Sequence, residues 1–189
     1  MRTRRPIAAL AAAFATLPAL TNGAAAQQSE YTSVALESCQ QMQSDPEDML
    51  ESGRWICAGY LGIPVQLVES DLRFFVSYGV SPEGQLAAQQ TLPPFNYVND
   101  TLEWRVDETG VPYATILRFF ADFGDGSPER QVLVVTRIAD EGGVCHIAYV
   151  NASANDDANA LARQAADLMA RNFTCDFHVA LWIGDRGDL

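Results

Sequence analysis

The chain has 189 residues and carries 24 Asp and Glu against 12 Lys and Arg, a formal net charge of −12 at neutral pH. Its hydrophobic fraction of 48% is ordinary for a globular protein, and the length suffices for one domain with a sizeable core. The excess of negative charge argues against nucleic acids and anionic lipid surfaces as partners, because phosphate binding requires a surplus of cations.

The first 26 residues have the three-part layout of a secretory signal. Three arginines among the first five residues give a positive start, an apolar run covers 7–20, and Ala24–Ala26 supply the small residues that a signal peptidase recognises. The apolar run is too short to span a bilayer. We therefore expect cleavage of residues 1–26 before Gln27. The remaining chain is then periplasmic or secreted, with no membrane insertion.

Cleavage would remove all the positive charge of this segment. The rest of the chain holds nine arginines and no lysine against 24 acidic residues, a formal charge of −15. Thr3-Arg4-Arg5 also resembles part of a twin-arginine signal, the route for proteins that fold before export. No cofactor motif follows that would require folding before export, so we favour the general secretory route.

The first half of the remaining chain is predicted to form short strands. Segments 31–36 and 54–58 have extended character, and the polar run 44–48 between them is a loop by composition. Apolar and polar residues alternate from 72 to 78 with the period of two that marks a half-buried strand. We expect this strand to pair with 65–68 across the intervening turn.

The second half contains longer strands. Residues 101–106 and 111–121 are rich in β-forming residues and flank a hairpin whose glycine suits a positive φ. Segment 132–138 is apolar on both faces at its start, which is typical of a strand in the middle of a sheet. A glycine-containing turn at 140–143 leads from it into a further strand at 144–150.

One amphipathic helix is predicted at residues 155–172. Asn155 and the polar residues before it offer N-cap oxygens. Apolar residues recur at three- and four-residue spacing, namely Ala158, Leu161, Ala162, Ala165, Leu168, Met169 and Phe173. The expected fold is α+β, an antiparallel β-sheet of about six to eight strands with this C-terminal helix packed on it. Residues 27–189 would form a single domain with a loose tail from about residue 177.

Four cysteines follow the signal segment, and their even number predicts two disulfides in an oxidising compartment, with three possible pairings. Their spacing does not suit a metal site. A helix that returns along the strand beginning at Cys145 brings Cys175 close to it. We therefore predict the pairs Cys145–Cys175 and Cys39–Cys57. Alternation along the strand puts Tyr149 on the same face as Cys145, under the helix.

Two stretches of the chain carry a recognisable pattern. They are Cys57-x-Gly59-Tyr60-x-Gly62-x-Pro64-Val65 with Asp71-Leu72-Arg73-x-x-Val76-Ser77-Tyr78-Gly79, and Cys145-His146-x-Ala148-Tyr149-Val150 with Ala158-Asn159-Ala160-Leu161-Ala162-Arg163. Together they resemble a family of uncharacterised exported bacterial proteins that bear signal peptides. The resemblance covers most of the chain after the signal segment. It implies export and disulfide bonds, and it implies no activity.

The sequence contains no recognisable catalytic motif. It has no nucleophile elbow, P-loop, dinucleotide fingerprint or His-Glu-x-x-His, and four paired cysteines leave no thiol nucleophile. His146 has no suitably spaced Ser and Asp, so we interpret it as a hydrogen-bonded core or edge histidine. The acidic loop 122–129 lacks the calcium-binding pattern and is interpreted as a turn between strands. We predict no catalytic, cofactor or metal site.

Four arginines, Arg73, Arg105, Arg118 and Arg137, fall inside predicted strands. If they converged, they would form a site that grips a carboxylate or phosphate group. The alternative is four separate ion pairs whose apolar stems cover the sheet, and we favour it.

These observations favour a non-enzymatic module that binds or inhibits another envelope protein, or supports the envelope, and that is a monomer by itself. A rigid, disulfide-bonded β domain with variable loops suits such a role. One alternative is a small periplasmic hydrolase whose carboxylates come together from distant positions. Another is a carrier of a small ligand, which an apolar cavity at the sheet would favour.

Overall fold

The computed structural model describes residues 28–43, 51–139 and 143–189. The predicted signal segment, the loop expected at 44–48 and the first three residues of the turn expected at 140–143 lie outside these ranges. Within the described ranges, no helix is long and apolar enough to cross a membrane.

β-Strands are the main regular structure of the described chain. The strands are β1 (Gln28–Ser33), β2 (Gln40–Met42), β3 (Glu51–Ala58), β4 (Pro64–Ser70), β5 (Arg73–Tyr78), β6 (Phe95–Val106), β7 (Pro112–Asp122), β8 (Arg130–Arg137), β9 (Cys145–Asn151) and β10 (Leu181–Trp182), and the α-helix is α1 (Ala158–Met169). A large sheet has the order β1-β6-β7-β8-β9-β10, and a small sheet has the order β2-β3-β4-β5. The expectation of a mostly β chain with one C-terminal helix and two disulfides is confirmed.

The expectation of one antiparallel sheet of six to eight strands needs correction. The described strands form two sheets, and β10 pairs in parallel with β9, with Leu181 opposite Ala148. A helical crossover between two neighbouring strands makes them parallel, and α1 is that crossover. Alternation along a strand shows which side chains share a face, but it does not show which strands share a sheet. The segment expected as a loose tail from residue 177 therefore includes a strand.

Two apolar cores separate three layers. The first lies between the sheets, where Leu67 and Tyr78 of the small sheet meet Leu102, Trp104 and Phe119 of the large one. The second lies between the large sheet and α1. The large sheet is therefore covered on both faces, which explains why β8 is apolar on both sides.

The helix packs through small residues. Its buried positions are Ala158, Ala162, Ala165 and Ala166. Leu168, expected in the buried stripe, is 69% exposed. The helix also begins three residues later than predicted, because Asn155 does not cap it. The Asn155 side chain instead donates to the carbonyl of Asn151 and exchanges two hydrogen bonds with the backbone of Asp185.

The predicted disulfides are confirmed as Cys39–Cys57 and Cys145–Cys175, with Cα–Cα distances of 4.4 and 5.7 Å. The first links β3 to the segment just before β2, and the second links the start of β9 to the chain just after the helix. Two disulfides indicate a non-reducing, extracellular-type environment.

A β-bulge in β9 reverses the face of Tyr149. Val135 lies opposite Ala148 and Thr136 opposite His146, so Ile147 is an extra residue in β9. Cys145 packs in the helix-side core, as predicted. Past the bulge, Tyr149 packs against the core between the sheets, and the expectation that it lies under the helix is wrong.

Candidate functional site

The four strand arginines have separate partners. Arg73 pairs with Asp71 and donates to the carbonyl of Pro93. Arg118 donates to the side chains of Gln131 and Asn159. The structure does not bring these four arginines together at one site.

Three of the four nevertheless contact the helical segment. Arg118 reaches Asn159 near the start of α1, Arg105 reaches Asp167 in its second half, and Arg137 donates to the carbonyl of Ala170 just after its end. These contacts join β6, β7 and β8 to the helix along its length. The role they indicate is attachment of the helix to the large sheet.

Arg105 and Asp167 form the ion pair among these contacts, with side chains that are 6% and 16% exposed. Arg105 Nε donates to Asp167 Oδ1 at 2.9 Å and Nη2 donates to Oδ2 at 2.8 Å, while the Tyr113 hydroxyl donates to Oδ1 at 2.6 Å. Burial acts to lower the pKa of Arg105, but the hydrogen bonds and charge of Asp167 outweigh it and the pKa rises. Burial, followed by the hydrogen bond to Asp167, raises the pKa of Tyr113 to about 12.

A second ion pair lies beside the first. Arg163, one helical turn before Asp167, donates through Nε to Glu103 Oε1 at 2.6 Å. The Ser29 hydroxyl bridges the two pairs, because it donates to Glu103 and accepts from Arg105. The charges of this cluster are neutralised within the protein. The cluster is therefore built to hold the helix on the sheet, and it leaves no unpaired charge for a ligand.

His146 is buried in β9 and hydrogen-bonded. Its Nδ1 lies 3.0 Å from the Tyr149 hydroxyl, and its backbone N–H donates to Gln90 Oε1. Burial lowers the pKa of His146 to about 3 and raises the pKa of Tyr149 to about 12. Neither group changes protonation near neutral pH, so this pair is unsuited to general acid–base catalysis. No group of three or more potential metal ligands occurs among the described residues.

Replacing His146 with Gln is expected to flatten the acid-side loss of stability. The pKa of His146 is 6.5 when unfolded and about 3 when folded, so its contribution is complete above pH 6.5 and is lost as the pH falls towards 3. The slope from one such group is about 1.4 kcal/mol per pH unit. Urea unfolding at pH 6, 5 and 4 would measure it. The exposed His178 is the matched control, and an H146Q slope equal to that of H178Q would contradict the assignment.

A pocket with a mostly apolar lining lies at one end of the core between the sheets. Its volume is about 420 Å³, and its walls include Leu92, Phe123, Val132, Tyr149, Trp182 and Leu189. The two sheets contact each other mainly through β5 with β6 and β1 with β3, at the opposite end of the large sheet. The four-stranded sheet is too narrow to cover the whole face of the six-stranded sheet. Coil residues 91–94 lie over the β9–β10 end instead, and the pocket is the space left beneath them.

Two arginines stack on the aromatic walls of this pocket. The Arg186 guanidinium lies 5.0 Å from the centre of the Trp182 ring, and the Arg130 guanidinium lies 4.8 Å from that of Phe123. Arg130 also pairs with Asp188. Because Asp188 neutralises Arg130, Arg186 is the residue that adds a positive charge to the lining of this apolar pocket.

No local pattern in the sequence indicates this pocket. Phe123 lies in a loop interpreted as an acidic turn, Trp182 and Arg186 lie in the predicted tail, and Tyr149 was assigned to the other face. The available signal was a Trp in the predicted tail, because Trp side chains are highly buried on average in folded proteins.

Comparison with protein-family models, curated proteins and solved structures finds no match to this chain.

Proposed function

We infer that this protein is an exported, non-enzymatic binding protein whose pocket beside Trp182 holds a small apolar ligand. The observation that carries this proposal is the pocket itself, about 420 Å³ in volume and walled by aromatic and aliphatic side chains. Ligand sites are concave, mostly apolar and supplied with a few polar groups, and this pocket has those properties.

The lining favours binding over catalysis. No Asp, Glu, His, Ser or Cys is among the described residues that line the pocket. The two hydroxyls present are already engaged, since Tyr149 bonds to His146 and Thr91 donates to the carbonyl of Phe74. A hydrolase that uses carboxylates would need an acidic pair here, so the carrier hypothesis is preferred to the enzyme hypothesis.

The cellular setting belongs to the same proposal. The layout of residues 1–26 and the resemblance to exported bacterial proteins support delivery to the periplasm or the medium. The two disulfides accord with such a compartment. There the domain would act by itself on a small molecule that is poorly soluble in water.

The neutral fluorescent probe N-phenyl-1-naphthylamine is expected to bind this pocket saturably. Phe123 is one wall and is 41% exposed, so Phe123→Ala should weaken binding with little effect on folding. Loss of one aromatic wall corresponds to about 1–2 kcal/mol, or a 5- to 30-fold increase in Kd. Fluorescence titration measures the change.

Phe177→Ala is the matched control, because Phe177 is 84% exposed and does not line the pocket. Its Kd should equal that of the unaltered protein. Absence of saturable binding, or an equal loss in both variants, would contradict the proposed function.

A further inference from the structure

We propose that the ligand is a small amphipathic monocarboxylate, an inference that rests on the proposed function. Its apolar part would lie in the pocket, and its carboxylate would pair with Arg186. Arg186 lines the pocket and stacks on Trp182, which is itself a wall. The guanidinium therefore lies beside the apolar wall, in position to contact the polar end of a ligand whose apolar part fills the pocket.

Arg186 is available for such a contact. The arginine that stacks on Phe123, Arg130, already pairs with Asp188. Within the described part of the chain, no carboxylate lies within ion-pair distance of the Arg186 guanidinium, and its side chain is exposed. In a chain with 24 acidic residues, this leaves a positive charge at the pocket mouth open to an anion from outside.

The backbone of Arg186 is held in place. Its carbonyl accepts a hydrogen bond of 2.8 Å from Asn151 Nδ2, and the preceding residue, Asp185, is bonded to Asn155 in both directions. Stacking on Trp182 further restricts the side chain. A donor that is already ordered loses less conformational entropy when a ligand binds.

The chemistry of the mouth selects the class of anion. The planar guanidinium matches the two oxygens of a carboxylate and stays charged at any physiological pH. Asp185 is adjacent, and the protein as a whole is strongly negative, so a multiply charged group such as a phosphate monoester would be repelled. A ligand with a single carboxylate on a ring or a medium-length acyl chain matches both the charge of Arg186 and the apolar lining of the pocket.

Octanoate and 1-octanol test this assignment, because they share the apolar chain and differ in the charged group. By isothermal titration calorimetry of the exported protein at low salt, octanoate should bind about tenfold more tightly than octanol. Arg186→Gln should abolish the preference and leave the octanol Kd within about twofold. Arg186→Lys keeps the charge and loses the two-point hydrogen bonding of the guanidinium, so it should retain part of the preference for octanoate.

Arg118→Gln is the matched control, since Arg118 is a partly exposed arginine that contacts Gln131 and Asn159 and does not line the pocket. It should keep the full preference for octanoate. Equal binding of octanoate and octanol to the unaltered protein, or a preference that survives Arg186→Gln, would overturn the carboxylate assignment while the proposed function stands. Binding of neither compound would overturn the carboxylate assignment, and absence of saturable N-phenyl-1-naphthylamine binding as well would overturn the proposed function.

Discussion

Replacing Asp167 with Ala is expected to lower the free energy of unfolding by about 3–5 kcal/mol, the largest effect of a single substitution that we predict. The Arg105 side chain is 6% exposed and that of Asp167 is 16% exposed. Removal of the carboxylate takes the two-point partner from the buried Arg105 guanidinium, which keeps only Ser29 and the more distant Glu103 Oε1 at 4.0 Å. It also takes the acceptor from the Tyr113 hydroxyl. A buried charge that loses its partner costs far more than an exposed one, because water cannot replace the lost contacts.

Equilibrium unfolding in urea measures this loss, and Asp188→Asn is the matched control. Asp188 also pairs with an arginine, Arg130, but its side chain is 71% exposed, so the control should cost less than about 1 kcal/mol. The double variant Arg105→Met/Asp167→Leu should be more stable than Asp167→Ala, since it removes both charges of the pair and leaves neither without its partner. A double variant less stable than Asp167→Ala would show that the unpaired charge is not the cause.

Replacing both Cys145 and Cys175 with Ala is expected to cost about 3–4 kcal/mol and to loosen the C-terminal part of the chain. The bond closes a sequence separation of 30 residues and joins the start of β9 to the segment after α1. Without it, the chain after the helix depends on non-covalent contacts, such as the short pairing of β10 and the hydrogen bonds of Asn155 with the Asp185 backbone. Amide hydrogens of the helix and of residues 170–183 should therefore exchange faster, as measured by mass spectrometry.

The pair Cys39→Ala and Cys57→Ala is the control for this experiment. Its sequence separation of 18 residues predicts a loss of about 3 kcal/mol, similar in size. The faster exchange should then appear around β2 and β3 and leave α1 protected. If both double variants exposed the helix equally, the disulfide after α1 would have no specific role in holding it.

The candidate site was not predictable from local patterns. Tyr149 belongs to a strand whose alternation was recognised, but a bulge at Ile147 moves it to the face that lines the pocket. Arg105 was recognised as unusual, yet its partner Asp167 lies 62 residues away on the helix. A bulge depends on the register of two paired strands, and an ion pair depends on the packing of two layers, so neither is encoded in one segment.

By itself the sequence determined the features that depend on short-range periodicity and on chain length. These are the alternating strands, the C-terminal helix and the two cysteine pairs. The cysteine pairs follow because a helix of known rise that returns along its strand allows few positions for Cys175. Only the tertiary structure decided that the strands form two sheets, that β10 joins the larger one in parallel, and that the smaller sheet leaves the β9–β10 end open. The pocket beside Trp182 exists because six strands face four, a difference that arises when distant segments pack against one another.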